Sequence, residues 1–406
     1  MDGSTKTLAR LVRSNFMIPY GHQNIIQSDL DAVTKVLKSD FITQGPKVPQ
    51  FESSVAKYVN AKYAVASNSA TSSLHVACLA LGIGNDDFVW TSAISFVATS
   101  NSAVYCGAKI RFIDIEQDTF NISMSHLESE LKIAKKHGKL PKLVIVTHMC
   151  GQSADMKSLS QLRKKYKFKV IEDASHAIGG KYKNKKIGSC EYSDIAVFSF
   201  HPVKIITTAE GGMCTTNQKD LFIKLKKLIS HGITRDENEL MQSNPEPWFY
   251  EQQLLGFNYR MTELQAALGL NQIKRLDRFI KKRNILAAKY ISLFKDSSLD
   301  LPEIISDCVS SFHLFVIRLK SDESYKRNEV FKKLRKKGIG VNLHYMPIYK
   351  HPYYSIDLGF KDTYLENAEN YYSRAISIPI YPDLTPKEQM YVVKMIKKSL
   401  KETNKK

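Results

Sequence analysis

One lysine of the sequence stands in an unusual setting. Lys204 ends the run Phe198-Ser199-Phe200-His201-Pro202-Val203-Lys204 and is followed by Ile205-Ile206-Thr207-Thr208-Ala209-Glu210-Gly211-Gly212. Burial disfavours an ammonium, lowers its pKa and frees the amine to attack an aldehyde. Ser199, near the end of the apolar run, offers a hydroxyl to a phosphate oxygen. Gly211-Gly212 permits positive φ and close backbone approach. Standing alone, one of 59 lysines and arginines is more simply a surface residue after a turn.

Three further segments change that balance by occurring with it. In Glu172-Asp173-Ala174-Ser175-His176 the aspartate follows an apolar run and His176 lies three residues on. A carboxylate there can cap a helix, or it can keep a pyridine nitrogen protonated so that the ring accepts electrons from a carbanion. Ser67-Asn68-Ser69-Ala70-Thr71 precedes an apolar-periodic stretch through Leu74, Cys78 and Leu81. Small hydroxyl residues at a helix start satisfy free N–H groups, and the same N–H groups bind phosphate. Gly256-Phe257-Asn258-Tyr259-Arg260 stands before a long helical pattern, where Asn258 either serves a site or braces the helix.

These residues need a scaffold that brings strand ends together. From Asn60 to about Asn217, β-rich runs alternate with helical patterns. Strands are expected at Tyr63–Ala66, Phe88–Thr91, Ile110–Ile113, Leu143–Thr147, Lys169–Glu172 and Ile195–Phe200, with a helix at Ser158–Tyr166. Such alternation builds a parallel sheet, with ligands beyond the carboxyl ends of its strands. Thr262-Glu263-Leu264-Gln265 has capping-box form and opens a long helix through Leu268, Ile273, Leu276 and Ile280 that joins two domains. The rest reads as a smaller α/β unit, with a strand at His313–Leu319, a helix at Asn328–Lys337 and a last helix from Pro386. A helix at about Ser28–Lys38 can pack with either domain.

Composition excludes several classes. Hydrophobic residues make up 43% of the 406, which suits a globular core. No stretch reaches the ~18 consecutive apolar residues of a membrane span. The first sixteen residues lack the apolar region of a secretion signal, so the cytoplasm is the expected location. None of the six cysteines forms a C-x-x-C pair, and buried free thiols are expected. The net charge of +19 fits anionic substrates at least as well as nucleic acid, because the basic residues are spread over several helices. Neither a nucleotide loop of P-loop form nor a metal-ligand spacing is present.

Taken together, SFHPVKIITTAEGG at Ser199–Gly212, EDASHAIGG at Glu172–Gly180 and SNSATSSLH at Ser67–His75 resemble the DegT/StrS family of sugar aminotransferases. The resemblance runs from about Ile18 to Val393. It implies an α/β protein of fold type I, the aspartate aminotransferase-like fold of pyridoxal 5′-phosphate (PLP) enzymes, with a large mostly parallel-sheet domain and a smaller C-terminal α/β domain. Boundaries are expected at 17–275 and 276–406. Residues 1–16 precede the family's usual start and are read as a disordered extension or as a mis-assigned start ahead of Met17. Longer segments, among them IPYGHQNI at Ile18–Ile25, ITQGPKVPQFE at Ile42–Glu52 and HYMPIYKHPYY at His344–Tyr354, resemble one subgroup. Its members aminate C4 of a UDP-4-keto-6-deoxy-N-acetylhexosamine to UDP-4-amino-4,6-dideoxy-N-acetyl-β-L-altrosamine, a precursor of pseudaminic acid.

Position by position, the resemblance implies Lys204 as the Schiff-base lysine, Asp173 on the pyridinium nitrogen and His176 near the ring's phenolic oxygen. It implies Ala70, Thr71 and Ser199 on the phosphate, Phe96 stacked on the ring, and Asn258 reaching the cofactor of a neighbouring subunit in a homodimer. Thr43, Gln44, Gly45, His344 and Tyr345 are implied at the sugar-nucleotide site, with L-glutamate as amino donor. Relatives that dehydrate the sugar carry histidine at the lysine position, so Lys204 argues against that reaction. A transaminase of different C4 stereochemistry remains open. A PLP-binding DNA regulator is disfavoured, because no helix-turn-helix with a basic face is visible.

Overall fold

A computed structural model describes residues 17–243 and 246–403; the expectation for residues 1–16 lies outside them. In chain order, α1 (Gln27–Leu37) and α2 (Lys47–Val59) precede β1 (Tyr63–Ser67), α3 (Ala70–Ala80), β2 (Phe88–Ser92), α4 (Ala98–Val104) and β3 (Lys109–Ile113). Then come α5 (Met124–Lys136), β4 (Leu143–Thr147), α6 (Met156–Tyr166), β5 (Lys169–Asp173), β6 (Ile195–Ser199), β7 (Gly212–Thr216) and α7 (Lys219–Leu228). The seven strands form one sheet in the order β1-β7-β6-β5-β4-β2-β3. Strand β7 is antiparallel to β1 and β6, and the other pairings are parallel.

The central strands explain themselves. LVIVT and IAVFS are buried at every position because helices cover both faces of the sheet. The expected strands all form, each within a residue or two of its predicted ends. Register then aligns the chemistry: Thr147 of β4 pairs with Asp173 of β5, and Gly212 of β7 lies opposite both Ser67 and Ser199.

The expected single helix from Thr262 is two helices, α8 (Glu263–Ile273) and α9 (Leu276–Phe294). The capping box at Thr262 is present as read, with Gln265 closing it. Helical backbone is interrupted at Arg275 (φ −105°, ψ 0°), whose guanidinium meets Asp29 of α1 at 2.6 Å. Apolar periodicity runs through the break because both helices bury a face, so the pattern alone hides it. Asp29 also accepts from Asn271 and Gln272, which fastens α1 to α8.

Helix α9 belongs to two cores. Leu276, Phe279 and Ile280 pack with the sheet domain, whereas Leu286, Tyr290 and Phe294 pack into the C-terminal domain. That smaller domain holds β8 (Leu299–Asp300), β9 (Phe315–Leu319), α10 (Arg327–Lys336), α11 (Glu366–Arg374), β10 (Ala375–Ile378) and α12 (Pro386–Thr403). Its sheet is antiparallel, in the order β8-β9-β10. Ile18 joins this core and bridges to Ile339, so the segment before α1 closes over the smaller domain.

Candidate active site

The end of β5 and the turn after the neighbouring β6 bring Asp173 and Lys204 near one another. The turn after β6 is closed by the Lys204 N–H donating to His201 O at 2.9 Å. The residue is half-buried. Burial pushes its amine down to about 8, against the charge of Asp173, which pulls the other way. Asp173 is buried at the end of β5. Its Oδ2 accepts from Thr99 Oγ1 at 2.6 Å and its Oδ1 from the Ser175 N–H at 3.1 Å.

The start of α3 is built as an anion cradle. Ser69 is the N-cap and its side chain accepts from the Ser72 N–H. Ala70 and Thr71 N–H donate to no backbone acceptor among the described residues, as expected of a first helical turn. Gly212 lies hard against this turn: a Cβ built on it would sit 2.4 Å from Ser69 O and 2.6 Å from Ala70 N. Neither Gly211 nor Gly212 uses positive φ, so the glycine pair serves close approach alone. Ser199 stands across the sheet from Gly212, which puts its hydroxyl on the same edge.

A cluster of rings completes the floor. His176 Nε2 lies 3.1 Å from the Tyr345 hydroxyl, and the His176 and His313 rings are 4.4 Å apart. Both Nδ1 atoms are buried without a partner among the described residues. Burial and the charges of Lys204 and His344 hold His176 well below the ordinary histidine range. Phe96 is 55% exposed, with its ring 6.0 Å from that of Tyr345. His344 is buried, bonded to Ser377 Oγ at 2.8 Å, and burial pushes its pKa down to about 3. Its ring meets that of Tyr345 edge-on, with centroids 5.0 Å apart.

The remaining expected residues make no hydrogen bond to Lys204, Asp173 or His176 among the described residues. The loop bearing Thr43, Gln44 and Gly45 is tied to α8, since Ile42 O accepts from the Glu263 N–H at 3.1 Å. Buried Glu263 in turn accepts from the Lys47 and Val48 N–H groups. No hydrogen bond joins 43–45 to the Lys204 cluster among the described residues. Asn258 is exposed, and its neighbour Tyr259 accepts from the Asn68 N–H just before α3. Sequence reasoning missed Thr99, His313 and Arg283. Arg283 is buried in α9 and donates to the carbonyls of Phe312, His313 and Ile380.

A half-buried amine of lowered pKa, a buried carboxylate whose charge acts on it and a first helical turn with free N–H groups together fit a phosphorylated pyridine aldehyde. Comparison with known proteins agrees. Residues 23–397 match the DegT/DnrJ/EryC1/StrS aminotransferase family, and the chain belongs to it. Enzymes of this family are PLP-dependent aminotransferases, and this chain is a transaminase of that kind.

Among its relatives is the UDP-4-amino-4,6-dideoxy-N-acetyl-beta-L-altrosamine transaminase of Campylobacter jejuni, 41% identical over 377 residues, which cover 93% of this chain and 96% of the relative. Helicobacter pylori PseC, an aminotransferase of pseudoaminic acid biosynthesis, superposes with a TM-score of 0.87 at 30% identity, over 95% of this chain and all of that one. The PLP form of a sugar aminotransferase, Spr1654 of Streptococcus pneumoniae, matches with a TM-score of 0.85 at 26% identity, over 96% of this chain and 100% of that one.

Proposed function

We propose that the protein moves the amino group of L-glutamate to C4 of a UDP-4-keto-6-deoxy-N-acetylhexosamine, giving UDP-4-amino-4,6-dideoxy-N-acetyl-β-L-altrosamine for pseudaminic acid synthesis. The substrate is carried by the 41% identity to the Campylobacter transaminase. The chemistry is carried by Asp173, at the end of β5, standing close enough for its charge to act on the buried amine of Lys204 in the turn after the neighbouring β6.

When bound, PLP supplies the electron sink that makes loss of the α-proton possible. Lys204, with its amine pushed towards the neutral form, holds the aldehyde carbon and, once displaced by the donor, takes up the α-proton as general base. It returns a proton at C4 of the acceptor sugar in the second half of the cycle. Asp173 would hold the proton on the ring nitrogen, and His176 would serve the phenolic oxygen. Ala70, Thr71 and Ser199 would hold the phosphate, and Phe96 would pack on the ring. Tyr345 lines the sugar side, with the His344 ring edge-on to it, and Thr43, Gln44 and Gly45 approach the nucleotide.

The unit is a homodimer with Asn258 reaching the partner's phosphate site. Exposure of Asn258, together with Trp248 and Leu255 at 73% and 79% exposed, supports a covered surface there. Six buried free cysteines support a reducing, cytoplasmic setting, and no helix among the described residues is long and apolar enough to cross a membrane. Lys204→Ala is the first test. The variant should lose both the visible absorbance of lysine-held cofactor and transamination, and full turnover without an added amine would overturn the assignment.

A further inference from the structure

Asp173 is the terminus of a buried chain of hydroxyls. Thr99 Oγ1 meets Asp173 Oδ2 at 2.6 Å, Ser95 Oγ meets Thr99 Oγ1 at 2.7 Å, and Thr147 Oγ1 meets Ser95 Oγ at 2.9 Å. Thr99 is fully buried, and Ser95, Asp173 and Thr147 are nearly so. The four residues come from the segment after β2, from α4, from the end of β4 and from the end of β5.

Proton counting sets the direction of this chain. A hydroxyl has one hydrogen to give. An ionised carboxylate only accepts, so Thr99 must spend its hydrogen on Asp173. Towards Ser95 it can then only accept, so Ser95 donates to Thr99. Thr147 by the same logic donates to Ser95. Every O–H dipole therefore points its positive end at the carboxylate. The 2.6 Å separation is that of a charge-assisted bond, and aligned bonds in a buried site reinforce one another.

We infer that Thr99, backed by Ser95 and Thr147, is a positioning residue that aims the Asp173 carboxylate and keeps it an acceptor. The inference rests on the reading of Asp173 as the partner of the ring nitrogen. Thr99 fixes one oxygen and the Ser175 N–H the other, so the carboxylate cannot rotate. Its remaining lone pairs are left to accept from the crevice. The chain also links β4 to β5 through side chains at the point where Thr147 and Asp173 are already register partners.

The test compares Thr99→Val, which keeps the shape and removes the hydroxyl, with Thr99→Ser, which keeps the hydroxyl. Each is measured for PLP dissociation from the holoenzyme, for the pH midpoint of its visible band, and for melting of the apo-protein. Valine should speed dissociation at least tenfold and move the band's midpoint by about one pH unit, while serine stays within about threefold of wild type. Ser95→Ala should give a smaller change in the same direction. A valine variant with wild-type dissociation and midpoint would overturn the inference. So would a serine variant as impaired as valine, since shape would then matter and not the hydroxyl. Asp173→Asn is run alongside. If it too leaves dissociation and midpoint unchanged, the reading of Asp173 itself fails; if only Asp173→Asn has an effect, the reading stands and Thr99 has no such role.

Discussion

Gly212→Ala gives a perturbation whose size can be read from the structure. The added methyl would lie 2.4 Å from Ser69 O, 2.5 Å from Ser69 C and 2.6 Å from Ala70 N. All three are backbone atoms, so no rotamer change relieves the clash. Ordinary contact begins at 3.4 Å, so the start of α3 and β7 must separate by 3.4 − 2.4 = 1.0 Å. Overpacking of this kind costs about 1–3 kcal/mol. The N–H groups displaced are those proposed to bind phosphate, so the cost should fall on the cofactor-bound state. Expressed wholly in affinity, it weakens PLP binding by roughly five- to 150-fold. The assay is titration of apo-protein with PLP, followed by the visible band. Gly84→Ala is the control, because a Cβ there meets nothing within 4 Å and its φ is ordinary. A folded Gly212→Ala protein that binds PLP as tightly as wild type would refute the cradle at α3.

Other predictions follow from the same geometry. The Lys204 amine is pushed down to about 8, and its neutral form is the nucleophile, so capture of PLP by apo-protein should rise with pH, reach half its maximum near 8 and level off above; a rate still climbing beyond pH 10 would mark an ordinary, solvated lysine. Arg283→Met strips donors from the carbonyls of Phe312, His313 and Ile380 and should lower stability by at least about 2 kcal/mol in denaturant titration, whereas an unchanged midpoint would show those carbonyls find other partners. Mixing Lys204→Ala with Asn258→Ala subunits should restore about a quarter of wild-type activity if the two residues of one site come from different subunits, and none if they come from the same one.

The features visible in the sequence are those with local signatures. Parallel strands buried on both faces read as short apolar runs, so β4 and β6 were found almost to the residue. The Lys204, Asp173 and Ser69–Thr71 segments each follow such a run, which marks them as candidates from sequence alone. What stayed hidden depends on distant partners. Thr99 is one of many threonines until the fold places it on Asp173, 74 residues away. Arg283 looks like a surface arginine in a charged helix, yet it is buried on carbonyls up to 97 residues away. The break at Arg275 is set by its ion pair with Asp29, which no local periodicity reports. The motif that implies His344 at the sugar side says nothing of Ser377, 33 residues on, to which its ring is bonded.

The central claim is the transfer itself. Purified protein, PLP and L-glutamate should be incubated with the UDP-4-keto-6-deoxy-N-acetylhexosamine isomers, and the product identified by mass and NMR. One isomer should be aminated at C4 to the β-L-altro product, with 2-oxoglutarate formed in equal amount. Amination giving the other C4 configuration would contradict the proposed substrate while leaving the transaminase intact. No amination of any keto sugar by PLP-loaded protein would contradict the account as a whole.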